Sequence, residues 1–195
     1  MEIPNENERR KSENVEQATW KILIVDDEQA THTITKSVLR DLIFLGKGIN
    51  FESVYSGAQA KEFIKSNPDT ALILLDIVME KESSGLDVVK YIREELKNRE
   101  VRIVLRTAYP GSAPEQKIII EYDINDYKDK TELFSQKLMT CVVTALRSYS
   151  DLQTIAELNR KLEEEIAERT KQLAEANKKL ADFKKHNKQK KKGRQ

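Results

Sequence analysis

Residues 21–29 read KILIVDDEQ: four apolar residues, 22–25, run straight into three acids. An unbroken apolar run of this length suits a strand covered on both faces, as the central strands of a parallel sheet are. A second such run, 71–75 (ALILL), also ends in an acid, Asp76. In open α/β sheets, sites form beyond the carboxyl ends of the strands, so Asp26, Asp27 and Asp76 fall where such a site belongs.

Working outward, further strand-like runs lie at 49–55, 101–105 and around 124–127. Segments of helical spacing separate the runs at 33–44, 58–64, 86–96 and 113–122. Strands alternating with helices predict parallel strands joined by crossovers, hence an α/β doubly wound sheet. Residues 1–19 are polar and without periodicity, and predict a disordered segment. From Thr131 to about Phe183 there is no proline or glycine. Leu152, Ile155, Asn159, Leu162, Ile166, Arg169, Leu173, Ala176, Leu180 and Phe183 alternate steps of three and four, the a/d seam of a coiled coil, with Asn159 at a register-fixing a position. Glu165 with Arg169 and Glu175 with Lys179 add pairs spaced for a helix surface. The predicted divisions are 1–19, 20–149, 150–183 for the coiled-coil helix, and 184–195 for a basic tail. That tail has six lysines, one arginine and no acid; setting those seven charges aside from the formal +1 leaves −6 for the rest.

Composition narrows the chemistry. One cysteine, Cys141, excludes an internal disulfide and any multi-cysteine metal site. No apolar run approaches a membrane span and the N-terminus lacks a signal-peptide core, so a cytoplasmic protein is expected. Three carboxylates with few histidines nearby form a hard oxygen site, suited to Mg²⁺. Thr107, after the fourth strand, can bond a phosphoryl oxygen through its hydroxyl. Lys130, after the fifth, can pair with a phosphoryl oxygen or a carboxylate. An Asp-Asp pair after a strand also suits a plain helix N-terminus, where acids favour the dipole. His32 reads as structural, and Cys141 as a small packing residue.

The stretches VDDE (Asp26, Asp27), LLDIVM (Asp76, Met79), Gly85, RTA (Thr107, Ala108) and NDYKDK (Tyr127, Lys130) resemble, in order, the receiver domains of two-component response regulators, over residues 20–149. The resemblance implies a flavodoxin-like five-stranded sheet of order 2-1-3-4-5. It implies Asp76 as phosphoacceptor, Mg²⁺ held by Asp27 directly and by Asp26 through water, and the Val78 backbone carbonyl as a further ligand. Thr107, Ala108, Lys130 and Tyr127 would bind the phosphoryl group and switch. The partner implied is a sensor histidine kinase or phosphotransfer protein. Three departures stand out: Thr131 replaces the usual proline after the lysine, the loop DIVMEKESSG is one residue longer than the family's usual spacing to glycine and lacks its proline after Met79, and Arg106 replaces a commonly apolar residue.

The function expected is a phosphorylation-dependent regulator that homodimerises through residues 150–183. No output enzyme is visible, so the chain is not expected to be an enzyme; nucleic acid is not an expected partner. One rival is a Mg²⁺-dependent phosphatase of similar fold, which would need a second aspartate where Val78 stands. Another is a pseudo-receiver that only dimerises.

Overall fold

The computed structural model describes residues 18–81, 83–107, 124–129 and 135–192, with backbone alone at 107, 127–129, 135 and 181–192. Among the described residues, five strands form one parallel sheet of order β2-β1-β3-β4-β5: β1 (Thr19–Val25), β2 (Gly48–Val54), β3 (Leu72–Asp76), β4 (Arg102–Thr107) and β5 (Asp126–Asp129). The helices are α1 (Gln29–Leu39), α2 (Gly57–Ser66), α3 (Ser84–Lys90), which passes into a π-helical turn (Tyr91–Glu95), and α4 (Ser135–Lys192). This is the doubly wound flavodoxin-like order expected from the motifs. The chain divides into two compact units, Met1–Ser150 and Asp151–Gln195.

Alternation along the strands sorts the core of the first unit into two layers. Leu23, Val25, Ile73, Leu75, Ile103 and Leu105 face Ala60 and Ile64 of α2 and Val88 and Val89 of α3. Ile22, Ile24, Leu72, Leu74 and Val104 face Leu39 of α1 and Leu138, Val142 and Leu146 of α4. The buried residues of α4 in this unit recur every three or four positions through Ala145 and Tyr149, a stripe that fits one sheet face. Tyr149 closes it edge-on to Trp20, with centroids 6.2 Å apart.

Boundaries depart from the periodicity in places. Helix α1 starts at Gln29 rather than Thr33 because the Asp26 carboxylate accepts the Glu28 N–H at 3.0 Å and turns the chain. It ends at Leu39 rather than Phe44; Leu45 and Gly46 adopt φ of 50° and 74° and lead into β2. β5 begins at Asp126, two residues later than its apolar signal, since Ile124 is buried ahead of the strand pairing. Helix α4 reaches Lys192, past the expected limit at Phe183, because lysine is a good helix former and Gly193 is the first breaker. The helix expected over 113–122 and most of the polar N-terminal segment lie outside the described residues, as does the Lys130–Thr131 bond.

In the second unit, residues 153–180 are exposed. The seam residues Ile155, Leu162, Ile166, Leu173 and Leu180 stand in solvent beside Leu158. Arg160 pairs with Glu157 and Glu164, Lys161 with Glu157, and Arg169 with Glu165. No described helix is long and apolar enough to cross a membrane.

Candidate functional site

The acids at the two strand ends converge. Asp26, Asp27 and Asp76 each offer a carboxylate oxygen, and the three atoms lie within 4.8 Å of one another. β1 and β3 are paired directly, with Val25 opposite Leu75, so the residues that follow each strand core share one edge. Asp26 and Asp76 are buried while Asp27 is exposed, which leaves the cluster open on one side. An all-oxygen donor set of this charge and compactness fits a hard divalent cation such as Mg²⁺.

Packing below the cluster sets its shape. Gly85 N–H donates to the Ile77 carbonyl at 3.0 Å, and a Cβ on Gly85 would fall within the space of the Asp76 carbonyl oxygen and of the Ile77 backbone. Glycine is required there by close approach, which explains its place in the motif. The Val78 N–H lies 3.4 Å from Asp76 Oδ1. Farther along the long loop, Glu80 accepts the Gly57 N–H at the start of α2, and the Ser84 hydroxyl accepts the Lys81 N–H. The extra length of the loop is thus tied down by side chains of the loop and α3.

Two buried side chains support Asp26: His32, structural as expected, and Arg106, expected only as a departure from the motif. His32 Nε2 lies 2.8 Å from the Asp26 carbonyl oxygen and Nδ1 lies 2.9 Å from Ser53 Oγ. A carbonyl can only accept, so Nε2 carries the proton and the ring ties α1 to both β1 and β2. Its ring centroid is 4.5 Å from that of Tyr55. Arg106 is 2% exposed; Nη1 donates to Thr35 Oγ1 of α1 at 3.0 Å, and Nη2 lies 3.5 Å from Asp26 Oδ2. Burial pulls the guanidinium below its ordinary pKa, and the nearby Asp26 and Asp76 carboxylates pull it back up. The signal for Arg106 was present, a charge inside the otherwise apolar RIVL run of β4. His32 gave none, because its partners are a backbone carbonyl and a serine on another strand.

Thr107 ends β4, while Tyr127 is the second residue of the neighbouring β5, in register with Leu105 rather than with Thr107, with backbone alone described. Ala108 and Lys130 lie outside the described residues. The structure therefore brings Asp26, Asp27 and Asp76 together, with His32 and Arg106 against Asp26 and Thr35 against Arg106.

Comparison with known proteins agrees with this architecture. A family model described as response regulator receiver domain matches residues 22–142. The chain is 49% identical over 136 residues to the 3'3'-cGAMP-specific phosphodiesterase 2 of Vibrio cholerae, across 70% of this chain and 26% of that protein. It therefore spans about a quarter of that relative's length. It is 31% identical over 110 residues to chemotaxis protein CheY1 of Helicobacter pylori, across 55% of this chain and 82% of that protein. The N-terminal domain of a response regulator/sensory box/GGDEF three-domain protein from Carboxydothermus hydrogenoformans superposes with a TM-score of 0.54 at 27% identity, covering 67% of this chain and 97% of that one.

The expectation of a non-enzyme is corrected by the Vibrio relative, which is named as a phosphodiesterase. That expectation rested on missing output motifs, and a receiver fold bears no mark of the activity it serves. With the sheet order, the acid cluster and the family match in agreement, this chain belongs to the response regulator receiver family.

Proposed function

We propose that this chain is a phosphoryl-accepting receiver in which Asp76 takes the phosphoryl group and residues 150–183 pair two copies through a coiled coil. The observation that carries the first part is the convergence of Asp26, Asp27 and Asp76 within 4.8 Å at the open edge of the sheet. A carboxylate oxygen of Asp76 attacks the phosphorus of a phosphohistidine on a sensor kinase or phosphotransfer protein. The O–P bond forms as the P–N bond breaks, and the imidazole departs as the leaving group. Asp27, Asp76 and the Val78 carbonyl would hold Mg²⁺ directly, and Asp26 through water. When bound, Mg²⁺ supplies neutralisation of charge on the transferring oxygens. Lys130 would bond the phosphoryl group, and Thr107 with Ala108 and Tyr127 would respond to it, roles carried over from the family motif.

The test is incubation with a small phosphodonor and Mg²⁺, followed by intact mass. The wild-type chain should gain the mass of one phosphoryl group and Asp76→Asn should not. An unmodified wild type sinks this reading in favour of a pseudo-receiver. For the dimer, light scattering with and without residues 151–195 decides; a monomer in both forms contradicts it.

The 49% identity to a phosphodiesterase supports a second, compatible reading, that this receiver is the input module for cyclic-dinucleotide hydrolysis. Replacing the matched 136-residue segment of that relative with this chain's own gives a chimera for assay. Hydrolysis that responds to the phosphodonor, and loses the response in Asp76→Asn, supports the reading. A rate indifferent to both contradicts it.

A further inference from the structure

We infer that Arg106 is a resident counter-ion of the acidic site, a positioning residue that holds Asp26 in place and lowers the affinity of the cluster for Mg²⁺. The inference rests on the metal-holding reading proposed above and adds the element that tunes it.

The strand alternation sets the geometry. Val104 and Arg106 occupy the face of the sheet that carries Ile22 and Ile24 on β1 and Leu72 and Leu74 on β3. Asp26 and Asp76 are the next positions of that face, and Asp76 is the register partner of Arg106. The guanidinium thus reaches from β4 past β3 to Asp26 just beyond β1.

Its bonding is incomplete in an informative way. Nη1 is held by the Thr35 hydroxyl, yet among the described residues neither Nε nor Nη2 has a hydrogen-bond partner. Buried arginines ordinarily fill their fork of donors. Here the guanidinium is compensated by charge instead, with Nη2 at 3.5 Å from Asp26 Oδ2. A buried cation is costly unless paired, so the carboxylates hold Arg106 as much as it holds them.

Asp26 is consequently fixed from two sides. Oδ1 accepts the Glu28 N–H at 3.0 Å and Oδ2 faces Arg106. Its carboxylate is preset whether or not a cation is bound. A divalent ion that approaches must share the field of Asp26 with a group that cannot deprotonate. Linkage makes the effect reciprocal: Mg²⁺ weakens the Asp26–Arg106 attraction as much as that attraction weakens Mg²⁺ binding. Asp27, the exposed member of the cluster, becomes the main determinant of metal affinity.

The test is calorimetric titration of the full chain with Mg²⁺ alone, using Arg106→Met, Arg106→Gln and Arg106→Lys. Removing a unit positive charge beside a partly buried site should tighten Mg²⁺ binding by at least about tenfold in both neutral variants, the direction Coulomb repulsion requires. Arg106→Lys, which keeps a cation but not the fork of donors, should bind Mg²⁺ more weakly than either neutral variant. Arg106→Gln can still donate to Thr35 and serves where Arg106→Met folds poorly. For either, the rise in melting temperature on adding Mg²⁺ should exceed that of the wild type. Neutral variants that bind Mg²⁺ as the wild type does, or more weakly, overturn the inference and leave Arg106 as a tie between β4 and α1. If the wild type binds and Asp27→Asn does not, that failure belongs to Arg106 alone. If the wild type binds no Mg²⁺, the metal-holding reading falls and takes this one with it.

Discussion

The last helix has two halves of opposite character. Over residues 135–150 its apolar stripe is spent against the sheet: Val142 and Leu146 are fully buried. Over residues 151–180 a stripe of equal regularity stands in solvent, with Leu162 56% and Leu173 63% exposed. The same spacing rule produced both, so periodicity fixes which face of a helix is apolar but not what covers it. The first half is stabilised by packing against its own chain; the described ion pairs of the second lie on the surface and are each of small value in water.

The largest effect should come from the covered half. Leu146→Ala removes a fully buried side chain between α4 and the sheet, and should cost about 2–5 kcal/mol in denaturant unfolding. An equal loss from Leu173→Ala in the uncombined chain would erase the contrast between the halves. Next in size, Gly85→Ala forces a Cβ into the Asp76 and Ile77 backbone and should cost about 1–3 kcal/mol, read as a lowered melting temperature. Because that contact sits under the acid cluster, Mg²⁺ binding should weaken with it. The double variant Leu162→Ala/Ile166→Ala should leave the unfolding of the receiver within about 0.5 kcal/mol of wild type. Its effect should appear instead as weaker self-association in light scattering across a dilution series.

The smallest effect is electrostatic. Hydrogen bonds from Arg160 and then Lys161 pull the Glu157 carboxyl from its ordinary 4.5 down to about 2. A depressed acid pKa contributes to helix stability above pH 4.5, and the contribution is lost as pH falls through about 2. Glu157 is exposed, so solvent screening keeps the gain small. NMR titration of the Glu157 carboxyl should show the low midpoint, moving toward 4.5 in Arg160→Met.

Much of the site was legible because it is written at strand ends. Residues 22–25 and 71–75 announce themselves as buried strands, and the next residue of each is an aspartate, so the sheet edge follows from chain order. The glycine at 85 was legible as part of a motif, though only the packing explains it. His32 was not legible: a lone histidine on a helix shows nothing of the carbonyl and hydroxyl it will meet. The starts of α1 and β5 were misplaced by a few residues, because one depends on a carboxylate turning the chain and the other on a neighbouring strand.

KILIVDDEQ by itself determined that a buried strand ends in acids, since apolar runs and their limits are local properties of the chain. The tertiary structure alone decided what Asp26 faces. Arg106 lies on a strand two places away in the sheet, and Thr35 lies 71 positions before it in sequence. Parallel strands become neighbours only through crossovers, so the partner of a strand-end charge is set by sheet order and register, which no local pattern records.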